Sequence, residues 1–310
     1  MTLIFKSNVD SWPAWRTALE DAAPDVPCRN WDDPGDDAAV EYALVWKPPV
    51  GELRRRFPNL KTIFSLGAGV DHLLVDPDLP AGIPIVRMVE PELTRGMVEY
   101  VALHVLRYHR ETPLLEDQQR RREWREMATP TAPKRRVGIM GLGVIGQDCL
   151  RVLSALGFAL SGWSRTAKDI SGVTCHHGRD GLANFLTEVE ILVCVLPYTA
   201  ATENILNRDL FAQLPRGAYL INVGRGGLQD EDDILAALDS GQLAGATLDV
   251  FRQEPLPEDH AFWAHPNVTV TPHNAGTAQP WSAAGAVAAN IERIRRGDAP
   301  LNIADLSEGY

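Results

Sequence analysis

At 310 residues the chain is long enough for two domains with separate cores, because single cores stop growing near about 250 to 300 residues. An apolar fraction of 45% and a charged fraction of 23% are those of a globular protein and exclude bulk disorder and fibrous repeats. A net charge of -11 argues against nucleic-acid and anionic-membrane partners, which are held by clustered Lys and Arg, while leaving room for a local basic pocket.

Along the first part of the chain, short apolar runs at residues 3–5, 43–46, 62–66 and 83–86 alternate with helical patterns such as 12–19 and 53–57. That alternation predicts a parallel sheet covered by helices. A long helical stretch follows over 94–109 and continues brokenly to 124, with Pro113 expected to kink or interrupt it. The small, Pro-rich segment 128–133 reads as a linker, and a second alternation begins at Arg136. Its strand candidates are 137–140, 160–163, 191–196, 219–223, 246–250 and 268–271, with helical patterns such as 234–238 between them. Six strands with crossover helices predict a second doubly wound sheet. An Ala-rich helix over 281–295 closes the pattern, and neither an internal repeat nor a low-complexity segment stands out.

No apolar run approaches the roughly 18 to 20 residues that span a bilayer, and residues 1–15 lack a signal peptide's uninterrupted apolar core. A cytoplasmic protein with no membrane partner is expected. Cys28, Cys149, Cys175 and Cys194 are scattered without a C-x-x-C pair, so neither a disulfide framework nor a structural zinc site is supported. Cys175-His176-His177 has consecutive ligand types but no second group at helical or knuckle spacing, and no metal is expected.

The strand-like run 136–140 leads into Gly141-Leu142-Gly143-Val144-Ile145-Gly146 and then a helical stretch over 144–156. This is the context that a dinucleotide loop requires, with glycines allowing a tight turn and close backbone approach to a pyrophosphate at a helix N-terminus. About 20 residues on, an NAD-selective enzyme places an Asp or Glu for the adenosine ribose. The chain instead has Trp163-Ser164-Arg165-Thr166, with Lys168 close behind. Arg165 suits a 2′-phosphate, with Ser164 and Thr166 adding hydroxyl donors, so NADPH is expected over NADH, which stays possible.

In an open parallel sheet the ligand lies outside the carboxyl ends of the strands. Three chemical candidates fall there: Arg225 after the run 219–223, Glu254 after 246–250 and His273 after 268–271. Each alone reads blandly, as a loop cation, a surface acid before Pro255 and a turn residue after Pro272. Together, a cation for a carboxylate, an acid and an imidazole suit proton-coupled hydride chemistry.

Through GLGVIG, LPYTAAT (196–202), INVGRGGLQDEDDILAAL (221–238), LDVFRQEPLP (248–257) and TPHNAG (271–276), the sequence resembles the D-isomer-specific 2-hydroxyacid dehydrogenase family. The motifs WSRT (163–166), SLGAGVD (65–71) and VWKPP (45–49) are most similar to its glyoxylate/hydroxypyruvate reductase A branch. The resemblance implies a Rossmann coenzyme domain, residues 99–275 with the connecting helix, inserted in a flavodoxin-like substrate domain formed by 1–98 and 276–310. It implies that Arg225 binds the substrate carboxylate and polarises its carbonyl, and that protonated His273 donates a proton while hydride arrives from the nicotinamide. Glu254 would orient the imidazole and favour its charged form, so that reduction requires His273 protonated and oxidation requires it neutral. Leu196, Pro197, Thr202, Val223, Gly224 and Asp249 join the cofactor residues by the same resemblance, with Arg225 and His273 reaching both ligands.

Gly67-Ala68-Gly69 follows the run 62–66, and its small residues let backbone N–H groups approach an anion. The resemblance makes Ala68 and Gly69 carboxylate donors across the cleft from Arg225, and Trp46 the indole that limits substrate size; a bare turn and an ordinary core aromatic are the alternatives. Beyond TPHNAG, many relatives carry Thr-Arg where this chain has Ala278-Gln279, followed by Pro280-Trp281, which bears on the substrate side chain accepted. The expected reaction is NADPH-dependent reduction of glyoxylate or hydroxypyruvate. The alternatives are a bulkier 2-oxoacid such as phenylpyruvate, or a non-catalytic dinucleotide sensor on the same fold, as in the C-terminal binding proteins. A homodimer is implied by the family, with Met97, Val101, Val105 and Tyr108 as a candidate partner face or, alternatively, an internal packing face.

Overall fold

The structure, a computed structural model, describes residues 1–306. It divides into two compact units: Met1–Leu93 with the segment from Thr277 onward, and Thr94–Gly276. The resemblance implied these limits at 98/99 and 275/276. The earlier first limit reflects a helix that starts at Pro91, ahead of the apolar periodicity that marks it in the sequence.

In the first unit, five strands are found among the described residues: β1 (Thr2–Lys6), β2 (Cys28–Asn30), β3 (Val40–Val45), β4 (Thr62–Ser65) and β5 (Ile85–Val86). They lie in the order β2-β1-β3-β4-β5 with every neighbouring pair parallel, the flavodoxin-like order. Ile4, Ala43, Val45, Ile63 and Ile85 from these strands pack with Leu53, Phe57 and Leu73 in one core. The pattern missed β2, a three-residue edge strand of Cys, Arg and Asn that no apolar run announces. Trp46 and Gly67 to Gly69 follow β3 and β4, so both sit at the carboxyl end of this sheet.

In the second unit, seven strands are found among the described residues: β6 (Arg136–Met140), β7 (Ala159–Ser164), β8 (Thr174–His177), β9 (Ile191–Cys194), β10 (Ala218–Asn222), β11 (Leu243–Leu248) and β12 (Val268–Val270). Their order, β12-β11-β10-β9-β6-β7-β8, is parallel throughout. Counted from β6, it is the dinucleotide-binding order 3-2-1-4-5-6 with one further strand at the end. The crevice where strand order reverses therefore lies between β6 and β9. Six strands were expected; the additional one, β8, is an edge strand whose Thr-Cys-His-His composition carries no β signature. His176 there packs edge-on against Phe185, with ring centroids 6.0 Å apart. Among the described residues, no three His, Cys, Asp or Glu side chains gather as a metal site, and no helix is long and apolar enough to cross a membrane.

The connecting segment is two helices, Pro91–His109 and Thr112–Arg121. Pro113 kinks neither: Glu111, at φ 53°, makes the turn, and Pro113 lies in the first turn of the second helix, where its missing N–H is tolerated. The candidate partner face is corrected. Val101 and Val105 are fully buried, with Tyr108 2% and Met97 9% exposed, because this stripe packs inside the chain. Exposed apolar side chains lie elsewhere on these helices, at Leu103, Leu106, Leu114 and Leu115.

Candidate active site

The glycine loop between β6 and the helix Val144–Ala155 is shaped by sterics at each glycine. Gly141 has φ 107°, and an added Cβ there would lie 3.0 Å from the Val195 carbonyl oxygen. At Gly146 it would lie 1.9 Å from the Gly141 oxygen, so the first helical turn closes directly onto the loop. At Gly143, the helix N-cap, it would meet nothing within 4 Å. A side chain there would fill the space in front of the helix amides that a pyrophosphate occupies, so the loop fits a dinucleotide. Leu142 is buried against Gly162 of β7, Val144 is exposed and Ile145 is half-buried.

β7 ends in the charge-reading segment. Trp163 enters the core and its Nε1 donates to the Gly178 carbonyl at 2.9 Å, so its indole is a packing group. Ser164 is buried and its hydroxyl donates to the Thr166 carbonyl at 2.8 Å. The single hydroxyl hydrogen of Ser164 is engaged within the turn that carries the exposed Arg165 and Thr166.

After β9, Leu196 is buried, and the Thr202 hydroxyl donates to the Pro197 carbonyl at 2.8 Å while accepting from the Thr199 amide at 2.9 Å. Thr202 thereby folds its own loop. After β10, Val223 and Gly224 are buried, and an added Cβ at Gly224 would come within 2.7 Å of the Leu196 oxygen. Arg225 follows with extended backbone and Nη1 donating to the Gly224 carbonyl at 2.8 Å. Beneath it, Asn222 Nδ2 donates to Gln229 Oε1 at 2.8 Å, and Gln229 Nε2 donates to the Val250 carbonyl at 3.0 Å. This amide pair, which ties the β10 loop to β11, was not singled out from the sequence.

The loops after β11 and β12 bring the remaining two candidates together. His273 Nδ1 lies 3.0 and 3.1 Å from the two Glu254 carboxylate oxygens, and both side chains are half-buried. A carboxylate only accepts, so Nδ1–H donates and Nε2 is the nitrogen left for chemistry. Glu254 Oε1 also accepts from the Phe251 amide at 3.2 Å. His273 adopts φ 54°, a conformation unusual for a non-glycine residue. It is held there by its amide, which donates to the Asp249 carbonyl at 2.8 Å.

Asp249 does more in this loop than the sequence suggested. Its buried carboxylate accepts from the Thr271 hydroxyl at 2.6 Å, the Asn274 amide at 3.0 Å and the Ala275 amide at 2.9 Å. Burial pushes its carboxyl up, and those three bonds oppose the shift. An Asp followed 22 to 26 residues later by its partners leaves no local pattern to read.

In the first unit, the Ser65 hydroxyl donates to the Gly69 carbonyl at 2.9 Å and accepts from the Gly67 amide at 3.1 Å, which draws Gly67 to Gly69 into a tight turn. The amides of Ala68 and Gly69 donate to no acceptor among the described residues. Trp46 packs on that turn: an added Cβ at Gly67 would lie 2.6 Å from its six-membered ring. The indole is backed by His72, with ring centroids 4.2 Å apart, and Lys47 lies over it at 5.9 Å.

Residues 102–275 match the family described as D-isomer specific 2-hydroxyacid dehydrogenase, NAD binding domain. Over 318 residues covering all of both chains, the sequence is 43% identical to glyoxylate/hydroxypyruvate reductase A of Serratia proteamaculans. The fold superposes on a D-isomer specific 2-hydroxyacid dehydrogenase of Xanthobacter autotrophicus, solved with NADPH and MES, with a TM-score of 0.95 and 44% identity over 100% of this chain and 99% of that one. A NADPH-dependent glyoxylate/hydroxypyruvate reductase of Sinorhizobium meliloti, solved with NADP and sulfate, gives 0.94 and 40% over all of both chains.

Proposed function

The chain belongs to the D-isomer specific 2-hydroxyacid dehydrogenase family, and from that premise we propose that it reduces glyoxylate to glycolate and hydroxypyruvate to D-glycerate with NADPH. The observation that carries the chemistry is the His273–Glu254 pair, 3.0 Å apart, joining the loops after β12 and β11 of a unit whose β10 loop presents Arg225. Full-length likeness to two proteins solved with NADPH or NADP supports the cofactor, as do Arg165 and the absence of an acid beside it.

NADPH, when bound, supplies the hydride. Gly141 to Gly146 and the helix amides behind them would hold its pyrophosphate, Arg165 and Thr166 its 2′-phosphate, and Leu196, Pro197, Thr202, Val223, Gly224 and Asp249 would line the remainder of its path. Arg225 holds the substrate carboxylate in a planar fork and orients the neighbouring carbonyl; in the first unit, the Ala68 and Gly69 amides offer donors that suit an anion. His273 holds the transferable proton on Nε2 and delivers it to the carbonyl oxygen. Glu254 fixes the ring through Nδ1 and stabilises the imidazolium. Trp46, pinned between Gly67 and His72, sets the room for the substituent on the 2-oxoacid.

We place the protein in the cytoplasm as a homodimer joined through the exposed Leu103, Leu106, Leu114 and Leu115 face. The test is a matrix of 2-oxoacids against NADPH and NADH, followed at 340 nm. The expected result is highest kcat/KM for glyoxylate or hydroxypyruvate with NADPH, a tenfold or greater loss of NADPH efficiency in Arg165→Ala, and a ~10²–10⁴-fold loss in His273→Ala. Preference for phenylpyruvate would move the substrate assignment to the bulkier acid, and tight NADPH binding without any oxidation would make the protein a dinucleotide sensor.

A further inference from the structure

Resting on the reading of His273 as proton donor, we infer that Tyr100 and Thr271 are positioning residues for it, forming a relay from the helix Pro91–His109 into the loop that bears the imidazole. The Thr271 hydroxyl lies 2.6 Å from Asp249 Oδ1 and 2.5 Å from the Tyr100 hydroxyl. A threonine has one hydroxyl hydrogen, and a carboxylate accepts only, so that hydrogen goes to Asp249 and Tyr100 donates to Thr271. The chain of donation runs Tyr100 to Thr271 to Asp249, and it has a single direction.

What the relay fixes is local. Asp249 receives Thr271, Asn274 and Ala275 through its side chain and His273 through its carbonyl, which covers four of the five residues from Thr271 to Ala275. His273 sits among them at φ 54°, a backbone state that persists only when its surroundings over-determine it. Without Tyr100, the Thr271 hydroxyl is free to rotate and Asp249 loses its fixed donor. The helix is shaped for this contact one turn earlier as well: an added Cβ at Gly96 would lie 3.5 Å from the Ala275 carbonyl oxygen, so the helix backbone itself lies on the loop. Tyr100 is in turn clamped by His104, with ring centroids 4.4 Å apart, and burial pushes its phenol well above the ordinary range, which keeps the hydroxyl a donor.

Three variants and two readouts test the relay. Tyr100→Phe removes one oxygen, Thr271→Val removes the hydroxyl at constant volume, and Thr271→Ser retains it. In Tyr100→Phe and Thr271→Val, kcat for 2-oxoacid reduction falls about five- to tenfold while the KM for NADPH stays within about twofold, and Thr271→Ser stays near wild type. Hydrogen exchange over 271–276 quickens in the first two variants and not in the third. Wild-type kcat and exchange in Tyr100→Phe would overturn the relay, as would equal losses in Thr271→Ser and Thr271→Val, or slowed turnover with exchange in that segment unchanged. Should wild-type protein reduce no 2-oxoacid, the substrate reading fails by itself, and the exchange comparison still decides whether the relay holds the loop.

Discussion

Gly146 shows how one residue decides between two opposed effects. Within a helix, Gly→Ala ordinarily stabilises by about 1 kcal/mol. Here the new Cβ would stand 1.9 Å from the Gly141 oxygen, a backbone atom that yields only if the loop opens. The clash wins, and Gly146→Ala is expected to cost ~1–3 kcal/mol in denaturant unfolding and to weaken NADPH binding at least tenfold in a fluorescence titration. Were stability to rise and binding to hold, the close approach would not constrain the loop. His273 is constrained in the complementary sense: an L residue held at φ 54° by bonds from its neighbours, with chemistry that glycine, the residue best suited to that backbone, could not perform.

At the scale of elements, Glu90 ties the first turn of one helix to the first turn of another within the first unit. Its carboxylate accepts from the Glu92 and Leu93 amides at 2.8 and 2.7 Å, capping Pro91–His109, and from the Ser282 hydroxyl at 2.7 Å in the first turn of Pro280–Arg295. It is 3% exposed. Glu90→Gln leaves one acceptor oxygen and turns an NH₂ toward donors, so a loss of ~1–3 kcal/mol is expected by chemical denaturation; an unchanged midpoint would show that the cap is dispensable. Such features also mark the limit of what the sequence discloses. Gly141 to Gly146 is legible because its constraints are local: strand before, helix after, glycines at fixed spacing. Arg225, Glu254 and His273 are legible because each falls in the loop that follows an apolar strand, three to six residues past its end, and the last two lie 3.0 Å apart. β2 and β8 are hidden because short edge strands need no apolar face. Tyr100 is hidden because its partner Thr271 is 171 residues away, and Val101 with Tyr108 reads equally as an outer or an inner stripe until the packing is known.

At the scale of the whole molecule, the apolar surface left on Leu103, Leu106, Leu114 and Leu115, 37 to 60% exposed, stands out on a chain of net charge -11. Sedimentation of wild-type protein is expected to give a dimer, and Leu103→Arg combined with Leu114→Arg to shift it toward monomer; a wild-type monomer at micromolar concentration would refute that interface. The inserted order of the two units has another effect, on synthesis. Residues 1–93 leave the ribosome first and carry all five strands of their sheet, yet part of what packs on it comes late. The helix Trp12–Ala22 packs on Pro280–Arg295, and β5 bridges to Ile303, so partners for the earliest segments are made last. The second unit is one uninterrupted stretch, Thr94–Gly276. Were the second unit to fold first, it would replace a floppy span with a compact body and shorten the loop that the first unit must close, so the coenzyme-binding half would act as a folding aid for its companion before it holds coenzyme.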